Sequence, residues 1–429
     1  MSAVWTVVTV CLLAALTPVA RAVQVTECSL PASGVFVSIS PELEIVEDQK
    51  LRPLAVSWFG INAQKGDYLE LVHSETGAVF INLTMYELEP DGWVESNATW
   101  DGSLIPNNLE GPAEPCFPYQ AKYIRDGNAL YSSCLILRPY WMREQRTDLS
   151  GTRLSKVVIP GTHDAGATSY FSSTAAENLV GRWTFTQDES LWQVLLFGAR
   201  YLDMRISYYN NTQDKFYVNH GEIIIAPLRR YVDDVVKFMY QTDEIVIFDI
   251  HELVHGFSDQ PERHEELIAF LESSFGSHMA PRSLGPDPTL GELWSINRRL
   301  IVTYPSNELY DSQYLWHTVH HLWGNVNTIE DLEAFLYTGI SEQVNRGSLW
   351  SSMAQFTPSP MDVVLNKWGG LRGAAMQTNF PVTNWFRQDW WDEVNIIAMD
   401  FLPFSDVIFV AVEANKLRAL CHENRRSVT

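Results

Sequence analysis

The stretch Val157-Val-Ile-Pro-Gly-Thr-His163-Asp164-Ala-Gly166 does most to determine which fold the chain can adopt. A hydrophobic run typical of a strand ends in a Pro-Gly turn, and a His-Asp pair follows directly. In a β/α barrel, the C-terminal ends of the strands form the edge where active sites lie. The stretch therefore predicts a strand whose end presents His163 and Asp164 to a site, although a lone histidine after a strand is more often structural.

Two further predicted strands end in polar residues. Alternation along Leu202-Asp203-Met-Arg205 places Asp203 and Arg205 on the same face, where a buried salt bridge is the alternative to a functional role. The next strand ends in Asn219-His220-Gly221, and the glycine permits close approach of a backbone or ligand. Because three consecutive strands would deliver these residues to one rim, we predict a shared site there.

From about residue 142, short apolar strands alternate with amphipathic helices. Glu189–Phe197 and Pro261–Phe275 have helical patterns, and Val394–Asp400 is a late apolar strand. Such alternation predicts an α/β fold, a distorted (β/α)8 TIM-like barrel over residues 141–429. The segment 314–391 is rich in Trp and loop residues and gives no clear pattern, so long loops are expected there.

Residues 23–140 have a different pattern. Short β-rich runs such as Tyr68-Leu-Glu-Leu-Val alternate with turn residues such as Pro90-Asp-Gly. This pattern predicts a small N-terminal β-sandwich domain in front of the barrel.

Residues 1–22 resemble a targeting signal. An apolar run is followed by Pro18 and the small-x-small triplet Ala20-Arg21-Ala22, which predicts a signal peptide cleaved after Ala22 and a secreted, extracellular protein. An uncleaved membrane anchor is the alternative, although the apolar run is short for a spanning helix.

The cysteine pattern agrees with export. Beyond residue 22 the chain has Cys28, Cys116, Cys134 and Cys421, which allow two disulfides in three connectivities. Cys116 and Cys134 flank a short segment and are favoured as partners, which leaves the other two to join the ends of the mature chain. Potential glycosylation sites follow the Asn-x-Ser/Thr pattern at Asn82, Asn97 and Asn210.

The formal net charge of −22 limits the partners. Nucleic acid and a strongly anionic membrane would both be repelled. A neutral outer leaflet, touched peripherally, or a soluble phosphodiester would not be penalised. We therefore expect no nucleic acid partner.

The Pro-Gly-Thr-His-Asp-x-Gly sequence, the Asp-x-Arg strand and the His-Gly strand together resemble the X domain of phosphatidylinositol-specific phospholipases C, in its animal X-domain-containing and bacterial forms. The resemblance extends over about residues 142–417 and weakens after its first third. It implies a distorted barrel that cleaves a phospholipid or another phosphodiester.

Residue roles follow from the resemblance. It implies that His163 is the general base, that His220 is the general acid, and that Arg205 contacts the phosphate. Asp164 would orient His220, and Asp400, at the end of the late strand, would orient His163. Imidazoles suit both proton transfers because their pKa lies near neutrality, and a guanidinium can neutralise phosphate charge through two hydrogen bonds.

The same resemblance also indicates whether the site requires a catalytic metal ion. Calcium-dependent members of the family place two acidic residues on the second strand and an Asn after the first His, whereas this chain has Arg205 and Asp164 there. We therefore expect no catalytic metal and no cofactor, with Arg205 supplying the positive charge.

Other polar residues are weaker candidates. His251 and Tyr304 each follow a predicted strand and could bind substrate hydroxyls, with core packing as the alternative. The cluster His317-Thr-Val-His320-His321 would share a helical face, but it has no acidic neighbour in the sequence, so a solvated loop or helix is favoured over a metal site.

Two other functions are compatible with the sequence. One is a metal-dependent glycerophosphodiesterase-like enzyme, which would require an acidic pair where Arg205 stands. The other is a catalytically weak secreted binding protein that keeps the phospholipase C barrel. The presence of both histidines, the arginine and the acidic partners favours an enzyme.

Overall fold

A computed structural model describes residues 28–47, 49–109, 116–172, 178–305 and 312–427. The predicted signal peptide, residues 1–22, lies outside the described residues. Both disulfides of the favoured connectivity are present, Cys28–Cys421 and Cys116–Cys134.

The strands are numbered in chain order. They are β1 (Gly34–Ile39), β2 (Glu44–Val46), β3 (Gln49–Leu51), β4 (Pro53–Phe59), β5 (Tyr68–His73), β6 (Val79–Thr84), β7 (Gly92–Thr99), β8 (Cys116–Arg125), β9 (Asn128–Ile136), β10 (Ile159–Thr162), β11 (Tyr201–Tyr208), β12 (Phe216–His220), β13 (Ile223–Pro227), β14 (Val246–His255), β15 (Leu300–Tyr304), β16 (Leu315–His317), β17 (His320–Leu322), β18 (Trp350–Met353) and β19 (Ile396–Met399).

The α-helices are numbered in the same way. They are α1 (Trp141–Glu144), α2 (Arg146–Leu149), α3 (Leu179–Arg182), α4 (Leu191–Phe197), α5 (Leu228–Gln241), α6 (Pro261–Phe275), α7 (Leu290–Ser295), α8 (Ile329–Gln343), α9 (Pro360–Val364), α10 (Leu371–Trp385) and α11 (Val407–Ser427).

The N-terminal part is antiparallel, as its short alternating strands predict. One sheet has the order β1-β4-β7, another has the order β6-β5-β8-β9, and β2 pairs with β3. Apolar side chains of this part, such as Leu54 and Leu71, belong to the same hydrophobic core as Leu195 and Val246 of the later part. Division of the chain at residue 140 into an independent sandwich domain therefore stays a prediction.

The later part is built on a curved parallel sheet with the order β16-β15-β14-β11-β10-β19-β18-β17. The mixed α/β class is confirmed. Closure into an exact barrel is not, because the two end strands β16 and β17 follow each other in the chain but do not pair within the described residues. The sheet is therefore an open, barrel-like curve.

The segment 314–391 is more ordered than its sequence pattern suggests. It contains β16, β17 and β18, together with α8, α9 and α10. His317 ends one short strand and His320 begins the next, so the shared helical face that we considered for this histidine cluster does not exist.

The register of the parallel strands brings the polar residues together. Thr162 lies beside Leu202 on one side and Met399 on the other, so His163, Asp203 and Asp400 emerge at the same edge. Strand β14 continues the edge, with Asp249 opposite Asp203.

Candidate active site

His163 follows β10 and is held at both ring nitrogens. Its Nδ1 lies 2.6 Å from Asp400 Oδ1, and its Nε2 lies 2.9 Å from Arg205 Nη2. A guanidinium can only donate hydrogen bonds, so Nε2 must act as the acceptor, and the protonated Nδ1 donates a hydrogen bond to Asp400. This tautomer makes Nε2 the basic nitrogen of the ring, and its lone pair accepts the Arg205 hydrogen bond at the open edge where the parallel strands end, which we call the mouth of the sheet. The contact predicted between His163 and Asp400 is present.

Arg205 lies between two buried carboxylates. Its Nη2 is 3.4 Å from Asp203 Oδ2, and its Nε is 3.6 Å from Asp164 Oδ2. The shared face of Asp203 and Arg205 is thus as predicted. Asp203 Oδ2 also accepts a 2.9 Å hydrogen bond from the backbone N–H of Asp164. These contacts fix the guanidinium beside the base.

Burial and charge act in opposite directions on these carboxylates. Burial raises the pKa of Asp164 above its ordinary value, against the opposing attraction of Arg205 and His220. For Asp203, burial alone would also raise the pKa, but the positive charges around it, led by Arg205, outweigh burial and hold the pKa below its ordinary value. Asp164 has a left-handed φ of 38°, which a non-glycine residue adopts at a local cost.

His220 reaches the site by a route different from the one we predicted. Strand β12 is not a member of the parallel series: it runs antiparallel to β11, with Val218 opposite Ile206, and returns His220 over the mouth. The His220 Nδ1 lies 2.6 Å from the Thr184 carbonyl oxygen, whereas its Nε2 is 3.9 Å from Asp164 Oδ2. Because a carbonyl only accepts, Nδ1 carries a proton and Nε2 faces the site.

The predicted orienting role of Asp164 is therefore corrected. The Thr184 carbonyl makes the hydrogen bond that fixes the His220 ring, and the Asp164 carboxylate lies beyond hydrogen-bond distance as a nearby charge. Every backbone carbonyl has the same chemistry, so the sequence carries no signal for this partner.

Trp323 is a further residue that sequence reasoning missed. The Arg205 guanidinium lies over its ring, 5.5 Å from the centroid, and the His163 ring meets it edge-on at 5.2 Å. Its indole N–H donates to Thr357 Oγ1 at 2.7 Å. The indole thereby supports both the base and the guanidinium from one side.

A second polar group lies at the same mouth. His251, a predicted substrate contact, stacks on His321 with ring centroids 3.4 Å apart. Each ring has a nitrogen 3.4 Å from Oδ2 of the buried Asp249. The Tyr201 hydroxyl is 2.7 Å from both Asp249 Oδ2 and His321 Nε2. Asp249, His321 and Tyr201 were not among the predicted site residues.

Tyr304 does not join the site. Its ring is buried, and its hydroxyl lies 2.8 Å from His264 Nδ1 on α6. Strand alternation explains the difference: Thr303 faces Asp249, so the next side chain points to the helical side of the sheet. Tyr304 is thus directed away from the site residues, and its role as a substrate contact stays a prediction.

The chain is similar to curated proteins over this region. It is 27% identical over 304 residues to the mouse "PI-PLC X domain-containing protein 3", with 64% of this chain and 92% of that protein covered. It is 24% identical over 302 residues to the mouse "PI-PLC X domain-containing protein 2", covering 65% and 87% of the two chains. The predicted family resemblance is confirmed. No family model matches the chain.

Solved structures agree on the fold of this PI-PLC X-like region. One phosphatidylinositol-specific phospholipase C of Staphylococcus aureus matches with a TM-score of 0.52 at 12% identity, over 65% of this chain and 97% of the bacterial one. A mutant of the same enzyme gives 0.51 at 13% identity, with the same coverage. At such low identity the match establishes the fold alone.

Proposed function

We propose that this chain is a secreted phosphodiesterase that cleaves phosphatidylinositol-type diesters by acid–base catalysis without a catalytic metal. One observation carries the proposal: a basic imidazole nitrogen, His163 Nε2, accepts a 2.9 Å hydrogen bond from a guanidinium suited to bind phosphate. The names of the relatives and neighbours supply the substrate class.

The reaction follows from the site residues. His163 Nε2 takes the proton of a substrate hydroxyl adjacent to the diester, and Asp400 stabilises the imidazolium that forms. The hydroxyl oxygen attacks phosphorus while Arg205 neutralises the charge that builds on the phosphate oxygens. His220, protonated at Nε2, gives that proton to the departing glycerol oxygen. The products are a cyclic phosphate and a diacylglycerol.

The proposed secretion is supported by two features besides residues 1–22. Both disulfides require an oxidising compartment to persist. The asparagines of the three potential glycosylation sites are exposed, at Asn82, Asn97 and Asn210. Recovery of the chain from the culture medium of expressing animal cells would support this localisation, and retention inside the cells would contradict it.

Activity is expected to resist chelation. Purified full-length chain should cleave phosphatidylinositol vesicles equally with and without excess chelator, because Arg205 provides the charge that a cation would otherwise supply. Product release is the measurement. Loss of activity in chelator would favour the metal-dependent glycerophosphodiesterase-like alternative. Binding of the vesicles without any turnover would instead favour a binding protein.

An exposed apolar rim beside His220 supports contact with a neutral lipid surface. Leu179 and Val180 of α3 are 64% and 57% exposed, and Ile223 and Ile224 of β13 are 40% and 48% exposed. A groove of about 260 Å³ is lined by Val180, Ile223 and Ile224 together with Thr184, the partner of His220. A net charge of −22 makes a neutral surface the favourable one. Among the described residues, no helix is long and apolar enough to cross a bilayer.

The apolar rim gives a separate prediction. The double substitution Val180→Ser and Ile224→Ser should lower activity on neutral vesicles about tenfold while sparing a soluble diester, because only the vesicle assay requires apolar burial. A matched control is Val79→Ser with Leu130→Ser, two exposed apolar residues of the N-terminal sheets. Equal losses on both substrates would show that the rim does not act through the lipid surface.

A further inference from the structure

The group formed by Asp249, His251 and His321 is not used in the proposed reaction. Asp249 and His251 lie on β14, where a register shift leaves His251 unpaired with β11, and their side chains approach within 3.4 Å, while His321 comes from β17. The two imidazole rings are nearly parallel, at 5°. One ligand atom from each of the three residues lies within 4.8 Å of the other two.

The Asp249 carboxylate is held in place by groups other than the histidines. Its Oδ1 accepts hydrogen bonds from the Thr303 hydroxyl and, at 3.2 Å, from the Val319 backbone N–H. Its Oδ2 accepts from the Tyr201 hydroxyl at 2.7 Å. Protein metal sites commonly hold their carboxylate ligands through such outer hydrogen bonds.

His251 supplies an independent observation. Its Nδ1 is shielded from solvent and makes no hydrogen bond to any residue that the structure describes, although Asp249 Oδ2 lies 3.4 Å away. A buried polar atom without such a bond carries a free-energy cost. The side chain as a whole is 29% exposed, so an ion can reach it from the mouth.

We propose that Asp249, His251 and His321 bind a divalent transition-metal ion, zinc in preference to calcium or magnesium. Two imidazole nitrogens and one carboxylate oxygen are a donor set that zinc accepts with a further position open. Calcium and magnesium prefer oxygen donors throughout. The neighbouring buried Asp203, opposite Asp249 in the register, adds negative charge that favours a cation.

This site is separate from the phosphate position assigned to Arg205. The ligands come from β14 and β17, and none of them is the base, the acid or the guanidinium of the proposed reaction. Zinc binding and chelator-resistant turnover therefore involve different atoms, and failure of either prediction leaves the other standing.

Cobalt is a suitable probe because it occupies zinc sites and absorbs visible light. Full-length chain, stripped with chelator and dialysed, should bind one Co²⁺ per chain with a visible absorption band, and added Zn²⁺ should displace it. His251→Ala and His321→Ala should each weaken binding at least about 100-fold, since each removes one of three ligands. The control His317→Ala removes an exposed histidine of the same segment and should bind as the parent does.

Folding is monitored in the same samples by thermal unfolding. Zn²⁺ should raise the Tm of the parent and of His317→Ala but not that of His251→Ala, whose partly exposed side chain makes it the safer variant. Absence of a cobalt band in the parent would overturn the proposal and leave an imidazole pair hydrogen-bonded around Asp249. An undiminished band in both ligand variants would overturn it as well, because the ion would then be bound elsewhere.

Discussion

His163→Ala and His220→Ala are each expected to lower kcat about 10²- to 10⁴-fold on phosphatidylinositol, the range for loss of a positioned acid or base. The first removes Nε2, the basic nitrogen that Asp400 orients through Nδ1 and that accepts a hydrogen bond from Arg205. The second removes the ring that the Thr184 carbonyl fixes through Nδ1. Initial rates on vesicles measure both effects. The control is His73→Ala, which changes a histidine of β5 that is distant in the sequence from both site histidines.

The two histidines can be distinguished by the leaving group. An inositol phosphodiester with a nitrophenol leaving group needs no proton at departure, so it should restore most of the activity of His220→Ala. It should not rescue His163→Ala, because the attacking hydroxyl still requires a base. Rescue of His163→Ala alone would reverse the assigned roles. Parental activity in either variant on phosphatidylinositol would eliminate the proposed mechanism.

The sequence was most informative where polar residues follow apolar strands. His163, Asp203 and Arg205 could be placed together because parallel strands end at a common edge and alternation assigns faces. Asp400 was placed by the family resemblance, and its contact with His163 is present.

The orientation of β12 could have been inferred from the sequence. Only residues 209–215 separate it from β11, and a parallel crossover requires a dozen residues or more. That short connection predicts the antiparallel hairpin that the structure has. The contribution of β12 to the rim was predicted correctly, but for the wrong topological reason.

Other parts of the site have no recognisable pattern in the local sequence. Trp323 and His321 lie in or directly after a strand of three residues, too short for a periodic pattern, and their neighbours in space are distant in the chain. The carboxylate nearest His321 is Asp249, far from it in the sequence. Because no carboxylate lies near His321 in the sequence, we favoured a solvated segment for this histidine cluster. The neighbours of a histidine in the sequence therefore do not show which groups surround it in the fold.

Arg205→Ala is the second prediction with a large expected effect, a fall in kcat of about 10²- to 10³-fold, as for loss of one preorganised group that stabilises developing charge. Arg205→Lys should recover only part of this, because an ammonium retains the charge but not the planar pair of donors. Arg346→Ala, which removes an exposed arginine after α8, is the matched control. Initial rates on a soluble diester measure the effect without a contribution from the lipid surface.

The alanine variant also changes the electrostatics of its neighbours. Arg205 lowers the pKa of Asp164, against the burial that raises it, so its removal should raise that pKa further. A carboxyl group whose pKa is higher in the folded chain than in the unfolded chain lowers stability as pH rises toward the folded-state pKa. Arg205→Ala should therefore lose stability with rising pH relative to the parent. Arg205→Lys keeps a positive charge and should show less of this loss. If both variants are stable at neutral pH and both retain parental kcat, the guanidinium does not neutralise the phosphate and the reaction must obtain its positive charge from another group.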